Sequence, residues 1–176
     1  MNFLEIRNRI VQGLSEHLGC PVVLNNQQNP EQDPPYVFYS VLPYNPEAGE
    51  LGNYRTEQDG DTYTEYRREE PSSSFSFTVC SVDREAGDEY ILGEDEACFL
   101  AMKAAGWFDH VGYDFFAGMG VTVIDVSTVQ DRSTLLVDEE ARRYGFDSRI
   151  RYAHEEARKV SVIENVVTKK GENDEL

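Results

Sequence analysis

Long apolar runs are missing from this sequence: none approaches the roughly 20 residues that a membrane-crossing helix needs. The opening stretch MNFLEIRNRIVQGLSEHLG interleaves charges throughout and lacks the unbroken apolar segment of a signal peptide. A soluble protein made in a reducing cytoplasm is therefore expected. Cysteine is scarce. Cys20, Cys80 and Cys98 are odd in number and form no CxxC pair, which argues against a disulfide framework or a zinc site and leaves them as small core fillers. His17, His110 and His154 never fall at the i,i+4 spacing of a helical metal site. Neither phosphate-cradling pattern, GxxxxGK(S/T) or GxGxxG, is present. Gly118 and Gly120 in AGMGV precede a strand, not the helix whose N–H groups a phosphate would need.

Positive charge is also in short supply. Sixteen Lys and Arg stand against 33 Asp and Glu, a net charge of -17. A duplex or an anionic membrane would be repelled, so neither nucleic acid nor membrane is an expected partner, and proteins are. With carboxylates so abundant, no pair stands out as acid and base. Asp59, Asp61 and Glu65 resemble a sparse cation loop but lack the EF-hand spacing, and a solvated acidic loop is the expected reading. No catalytic residue, cofactor or metal is expected.

What is present is a patterned globular chain of 176 residues, 40% apolar. Phe3, Ile6, Ile10, Leu14 and Leu18 recur at helical spacing, and Gly19 with Pro21 ends that helix. Residues 21–24 and YVFYSVL (36–42) are strand candidates, while residues 25–35 read as a loop. Residues 43–60, acidic and broken by Pro43, Pro46, Gly49, Gly52 and Gly60, read as a long loop that would order against a partner. Strands are expected over 62–69 and 74–81, with Pro71 turning one into the other. In the second, Phe75, Phe77 and Val79 mark a buried face. Residues 83–95 carry no clear pattern. Ala97, Leu100, Ala101, Ala104, Trp107 and Phe108 then share one face of a helix over 94–108, followed by an aromatic connector over 110–120. Strands over 121–129, 144–153 and 159–167 complete the chain, the last two as a hairpin around Glu155 and Glu156. The order predicts an α+β fold, a mainly antiparallel or mixed sheet with two long helices on one face. Residues 1–168 are expected to form a single domain and residues 169–176 a disordered acidic tail.

Residues 131–147 (DRSTLLVDEEARRYGFD) set an apolar run between paired charges, as a connection docking on a neighbour would. Leu135, Arg142 and Arg143 are the candidate interface residues there.

The runs RREEPSSSFSFTVCS (67–81), GVTVIDVSTVQDRSTLLVDEEARRYGFDSRIRY (120–152) and VSVIENV resemble the phage neck terminator family. The first helix and PPYVFYSV (34–41) fall where that family has a helix and a strand, so the resemblance spans about residues 3–167. The segment 83–95 departs from it, being longer and more acidic here. The resemblance implies a non-enzymatic virion protein forming a ring, commonly a hexamer, at the head-proximal end of the tail tube. Such a ring ends tube growth and joins tail to head. Its partners would be further copies of itself, the tail tube protein and head-completion or connector proteins. Its place would be the neck of the virion, and the host bacterial cytoplasm during assembly. An acidic DNA-mimic-like phage inhibitor of a host nucleic-acid-binding protein also fits the charge. Mimicry, however, wants regular rows of carboxylates, and these concentrate in loops and after Ser81. An enzyme ranks third, because it needs a pocket of converging titratable groups.

Overall fold

The computed structural model describes residues 1–25, 32–45, 52–60, 62–133 and 141–161. These fall into two compact units, Met1–Glu50 with Glu70–His154 and Leu51–Glu69 with Glu155–Leu176.

The first unit opens with α1 (Phe3–Leu18), whose start is fixed by a capping box. The Asn2 side chain accepts from the Glu5 N–H at 2.9 Å, and the Asn2 N–H donates to the Glu5 carboxylate at 3.1 Å. Gly19, at φ 78°, ends the helix in the left-handed conformation and donates to the Ser15 carbonyl. Ile6, Ile10, Leu14 and Leu18 are buried, as their spacing predicts. Strands β1 (Val22–Leu24) and β2 (Tyr36–Asn45) follow and pair in parallel.

β2 runs antiparallel to β5 (Ser72–Ser81), and β5 to β10 (Arg142–Tyr152). The far side of β10 takes β8 (Val121–Val126) and the two-residue β9 (Gln130–Asp131), giving the order β1-β2-β5-β10-β8 with β9 on β10. Between β8 and β9, the Ser127 N–H donates to the Asp147 carbonyl and the Ser127 hydroxyl accepts from the Asp147 N–H, both at 2.8 Å, so the edge stays hydrogen-bonded across the break.

Alternation fixes what each face carries. Val37, Tyr39, Phe75, Phe77, Val79, Phe146 and Ile150 point inward. They form one core with α1 and α2 (Gly93–Gly106), so both long helices cover this face. Regular helix ends at Gly106, short of the expected Phe108. A π-helical turn (Trp107–Val111) and the short α3 (Tyr113–Gly118) follow. Trp107 and Phe108, at the start of this turn, are both buried. α1 accommodates them at Gly13, where a Cβ would meet the Phe115 ring at 2.7 Å and Trp107 at 3.3 Å.

Residues 83–95, unpatterned in the sequence, hold a small hairpin of β6 (Arg84–Ala86) and β7 (Glu89–Ile91) around Gly87, at φ 65°, and then open α2.

The second unit is a three-stranded sheet, β11-β4-β3, of β3 (Asn53–Asp59), β4 (Thr62–Glu69) and β11 (His154–Val160). It corrects three expectations. Residues 43–60 are not one loop: Pro43 to Asn45 continue β2, and Asn53 to Asp59 form a strand. Every β3 residue is exposed, so no apolar alternation marked it, and its ladder to β4 is what holds it. Pro71 does not fold 62–69 onto 74–81, because β4 and β5 belong to different sheets. Nor do Glu155 and Glu156 form a hairpin turn. They lie within β11, which pairs with β4 and not with β10. The remainder of the expected last strand and the acidic tail lie outside the described residues. Among the described residues of this unit, polar side-chain contacts link the strands. Arg55 sits 4.1 Å over the Tyr66 ring and bonds Glu57 and Glu155, and Arg158 bonds Glu65 at 2.6 Å.

Leu14→Ala should lower stability by about 2–5 kcal/mol in urea unfolding, since its side chain is fully enclosed. Leu4→Ala on the same helix, 57% exposed, should stay within about 0.5 kcal/mol. Equal effects would mean that α1 does not face the core as described.

Candidate assembly surface

Two surfaces of the first unit stand out, on either side of its sheet. The first is the outward face of α2. Small residues (Ala97, Ala101 and Ala104, with Leu100) face the core and let the helix lie close to the sheet. Its large apolar side chains point the other way. Phe99 is 65% and Met102 60% exposed, and together with Asp95, and Leu92 one turn ahead, they fall at i,i+3/i+4 spacing along a single ridge. The β6–β7 hairpin is tied to this helix start. Arg84 donates to both Glu96 carboxylate oxygens, at 2.7 and 2.9 Å, and the Ser81 hydroxyl donates to the same group. Asp83 accepts from the Gly93 N–H at 2.7 Å. A Cβ at Gly93 would lie 2.6 Å from the Val82 carbonyl carbon, so only glycine fits. Glu85, Asp88, Glu89, Glu94 and Asp95 are left exposed at this end, beside the exposed Tyr90.

The second surface is the back of the sheet. Register places Leu42, Ser74, Arg149 and Asp125 in one row, and Ser40, Ser76 and Asp147 in the next. The serines make a shallow floor between Leu42, 74% exposed, and the exposed Arg149. Arg143 and Arg151 share this face by alternation. Arg132 lies across it, donating to the Ser76 hydroxyl at 2.8 Å, the Thr78 hydroxyl at 3.1 Å and Asp147 at 3.0 Å. Partial burial pushes the Asp147 carboxyl up, but the Ser76 hydroxyl and Arg132 outweigh this and hold it below the usual carboxylate range. Gly145 makes room for Arg132, since a Cβ there would meet its Cδ at 2.9 Å and the Phe77 carbonyl oxygen at 2.5 Å.

The three interface residues expected from sequence separate. Leu135 lies outside the described residues. Arg142 and Arg143 are neighbours on β10 and so point to opposite faces. Arg142 is exposed at the strand start, while Arg143 is half-buried and held through its backbone by Arg132 and Ser133. Phe99, Met102 and Arg149, exposed on the two candidate surfaces, were not among those three. The signal was present: Phe99 and Met102 fall off the alanine stripe, and alternation in SRIRY sets Arg149 and Arg151 against Ile150.

A concavity of about 520 Å³ on the three-stranded sheet is lined by Tyr54, Glu65, Arg67, Glu156, Ala157 and Arg158, but Arg158 already binds Glu65 and Arg67 binds Glu69. Among the described residues no group of three His, Cys, Asp or Glu side chains is placed to hold a metal ion. Among them also, no helix is long and apolar enough to cross a membrane. Cys20, Cys80 and Cys98 are free thiols.

A family model described as phage neck terminator protein matches residues 8–175. Among curated proteins, no sequence matches this chain.

Two outcomes follow from the contacts above. Gly145→Ala should cost about 1–3 kcal/mol by overpacking the Arg132 seat, measured by thermal unfolding, and a change under about 0.5 kcal/mol would mean that the seat yields. The hydrogen bonds from Arg84 hold the Glu96 carboxyl below its ordinary value of 4.5, against partial burial. The stability this contributes is complete above pH 4.5 and is lost as pH falls through the lower folded-state value. Glu96→Gln should therefore remove part of the acid limb of the stability profile, and an unchanged limb would remove Glu96 from the account.

Proposed function

The chain belongs to the phage neck terminator family, and from that membership we propose that it caps the head-proximal end of the tail tube as a ring of identical subunits, commonly six. In this role it ends tube growth and offers the docking face for the head. Its work is structural, in the neck of the virion, after assembly in the host bacterial cytoplasm. Its partners are the tail tube protein, head-completion or connector proteins and further copies of itself.

The observation that supports this reading best is the inverted packing of α2. A helix that turns its alanines inward and its Phe99 and Met102 outward is built to be covered by protein on both sides. The net charge of -17 suits a subunit that DNA must pass, because excess carboxylate repels phosphate and leaves the duplex free to move.

The same charge opposes association when it is unscreened. The Debye length shrinks from about 30 Å at 0.01 M salt to about 8 Å at 0.15 M. Assembly should strengthen over this range, read as weight-average mass by light scattering at fixed protein concentration. The purified chain should form rings alone or on addition of tail tube protein. A strict monomer, indifferent to both salt and tube protein, would overturn the proposal.

A further inference from the structure

We propose that His17 is an acid-sensitive latch: uncharged, it seats the turn around Trp107 on the end of α1, and its protonation loosens that seat. The contact lies within the first unit of one chain and is independent of how copies assemble.

The geometry starts from spacing. Gly13 and His17 are about one helical turn apart on α1 and face the same neighbour. A Cβ at Gly13 would lie 3.3 Å from the Trp107 ring. Four residues on, the His17 imidazole stacks on that ring, with centroids 6.1 Å apart and planes at 25°. Trp107 is 5% exposed and also packs against Phe108, Phe115 and Phe116, at centroid distances of 5.2, 5.2 and 4.9 Å. A shift of His17 is therefore felt by the aromatic cluster that joins α1 to the π-helical turn and α3.

Chemistry makes this contact sensitive to a proton. The His17 Nε2 is shielded from solvent and has no hydrogen-bond partner among the described residues. A neutral imidazole can leave a bare lone pair at that atom, whereas an imidazolium carries an N–H there with nothing to receive it. The charge facing the ring from α2 is Lys103, of the same sign as that imidazolium. The π-helical turn presents the Trp107 ring, its Asp109 and His110 being exposed, as is Asp114 on α3. On α1 itself Glu16 is exposed and accepts from Gln12.

The balance of these effects has a sign. Burial first, and the Lys103 ammonium second, hold the imidazole below its ordinary 6.5. They outweigh the Lys103 backbone and the carbonyl end of α1, which favour the cation. The unfolded chain thus takes up the proton first. The stability that neutral His17 contributes is complete above pH 6.5 and is lost as pH falls through the lower folded-state value.

The test uses the full chain, whose single tryptophan is Trp107, so that its emission reports on this seat. The His17 ring is followed by proton NMR and Trp107 by fluorescence, from about pH 8 down to the onset of acid unfolding. His17 should titrate with a midpoint below 6.5, and Trp107 emission should lose intensity with the same midpoint. His17→Gln, which takes up no proton, should abolish the emission step. His110→Gln, altering an exposed histidine one turn from Trp107, should leave it in place. In urea, the wild-type unfolding constant should rise relative to that of His17→Gln by up to about tenfold per pH unit below 6.5, the limit for one proton. A His17 midpoint at 6.5 or above would overturn the proposal. So would a low midpoint that leaves Trp107 emission unmoved, or a His17 that stays neutral until the whole chain unfolds. If circular dichroism shows His17→Gln unfolded, His17→Phe, which keeps an uncharged ring on Trp107, takes its place, and agreement of the two wild-type midpoints decides.

Discussion

Phe77 is fully enclosed, and its ring centroid lies 5.1 Å from that of Phe108, 5.5 Å from Phe146, 5.7 Å from Phe75 and 6.1 Å from Tyr39. It therefore joins β2, β5, β10 and the π-helical turn in one packed layer. Much of the first unit follows from the volume these rings occupy. With aromatics filling the inner face, the helix above can approach only if its own core side is small, which Ala97, Ala101 and Ala104 provide. The large apolar residues of α2 are left on the outside. On the back of the same strand, alternation places Ser74, Ser76 and Thr78, and their small size creates the floor on which Arg132 lies. The inner layer thus determines the character of both outer surfaces.

Electrostatics works at two ranges in this molecule. Summed over the chain, carboxylates dominate, and the long-range field is repulsive toward phosphate and toward other copies alike. At close range the pattern is different. Arg84 is bidentate on Glu96, Arg132 links two hydroxyls to Asp147, and Arg55 and Arg158 add cross-strand contacts to the ladder of the three-stranded sheet. The partly shielded pairs, Arg84 with Glu96 and Arg132 with Asp147, fix local geometry more than they add stability. The exposed pairs of the three-stranded sheet contribute little individually.

Where burial dictated the residue, the sequence was readable. α1 and β5 show their buried faces at the right periods, and Gly19 marks the helix end. β3 was not readable, because all seven of its residues face solvent and its identity as a strand comes from the ladder to β4, a non-local interaction with no periodic trace. The same holds for β11, whose charged residues look like a turn until β4 is beside them. The two candidate surfaces were half visible. The block around residues 130–147 drew attention to Arg142 and Arg143, and strand alternation sets these two neighbours on opposite faces of β10. The outward ridge of α2 was hidden in plain composition, since Ala, Leu, Phe and Met all count as apolar and only their sizes reveal which side faces the core.

Size segregation of this kind bears on why a protein with so much like charge would assemble at all. An apolar ridge gains free energy on burial regardless of salt, at about 25 cal/mol per Å² removed from water, while repulsion between whole subunits fades with screening. The two therefore trade places as ionic strength changes, with attraction at short range waiting on the removal of repulsion at long range. A ring subunit built this way would stay dispersed while copies are far apart and commit once a template brings them within a few ångströms. In the proposed role that template is the end of the growing tube. In that proposed role the acidic surplus would serve two purposes at once, keeping the lumen clear of bound DNA and keeping free subunits from closing in the wrong place.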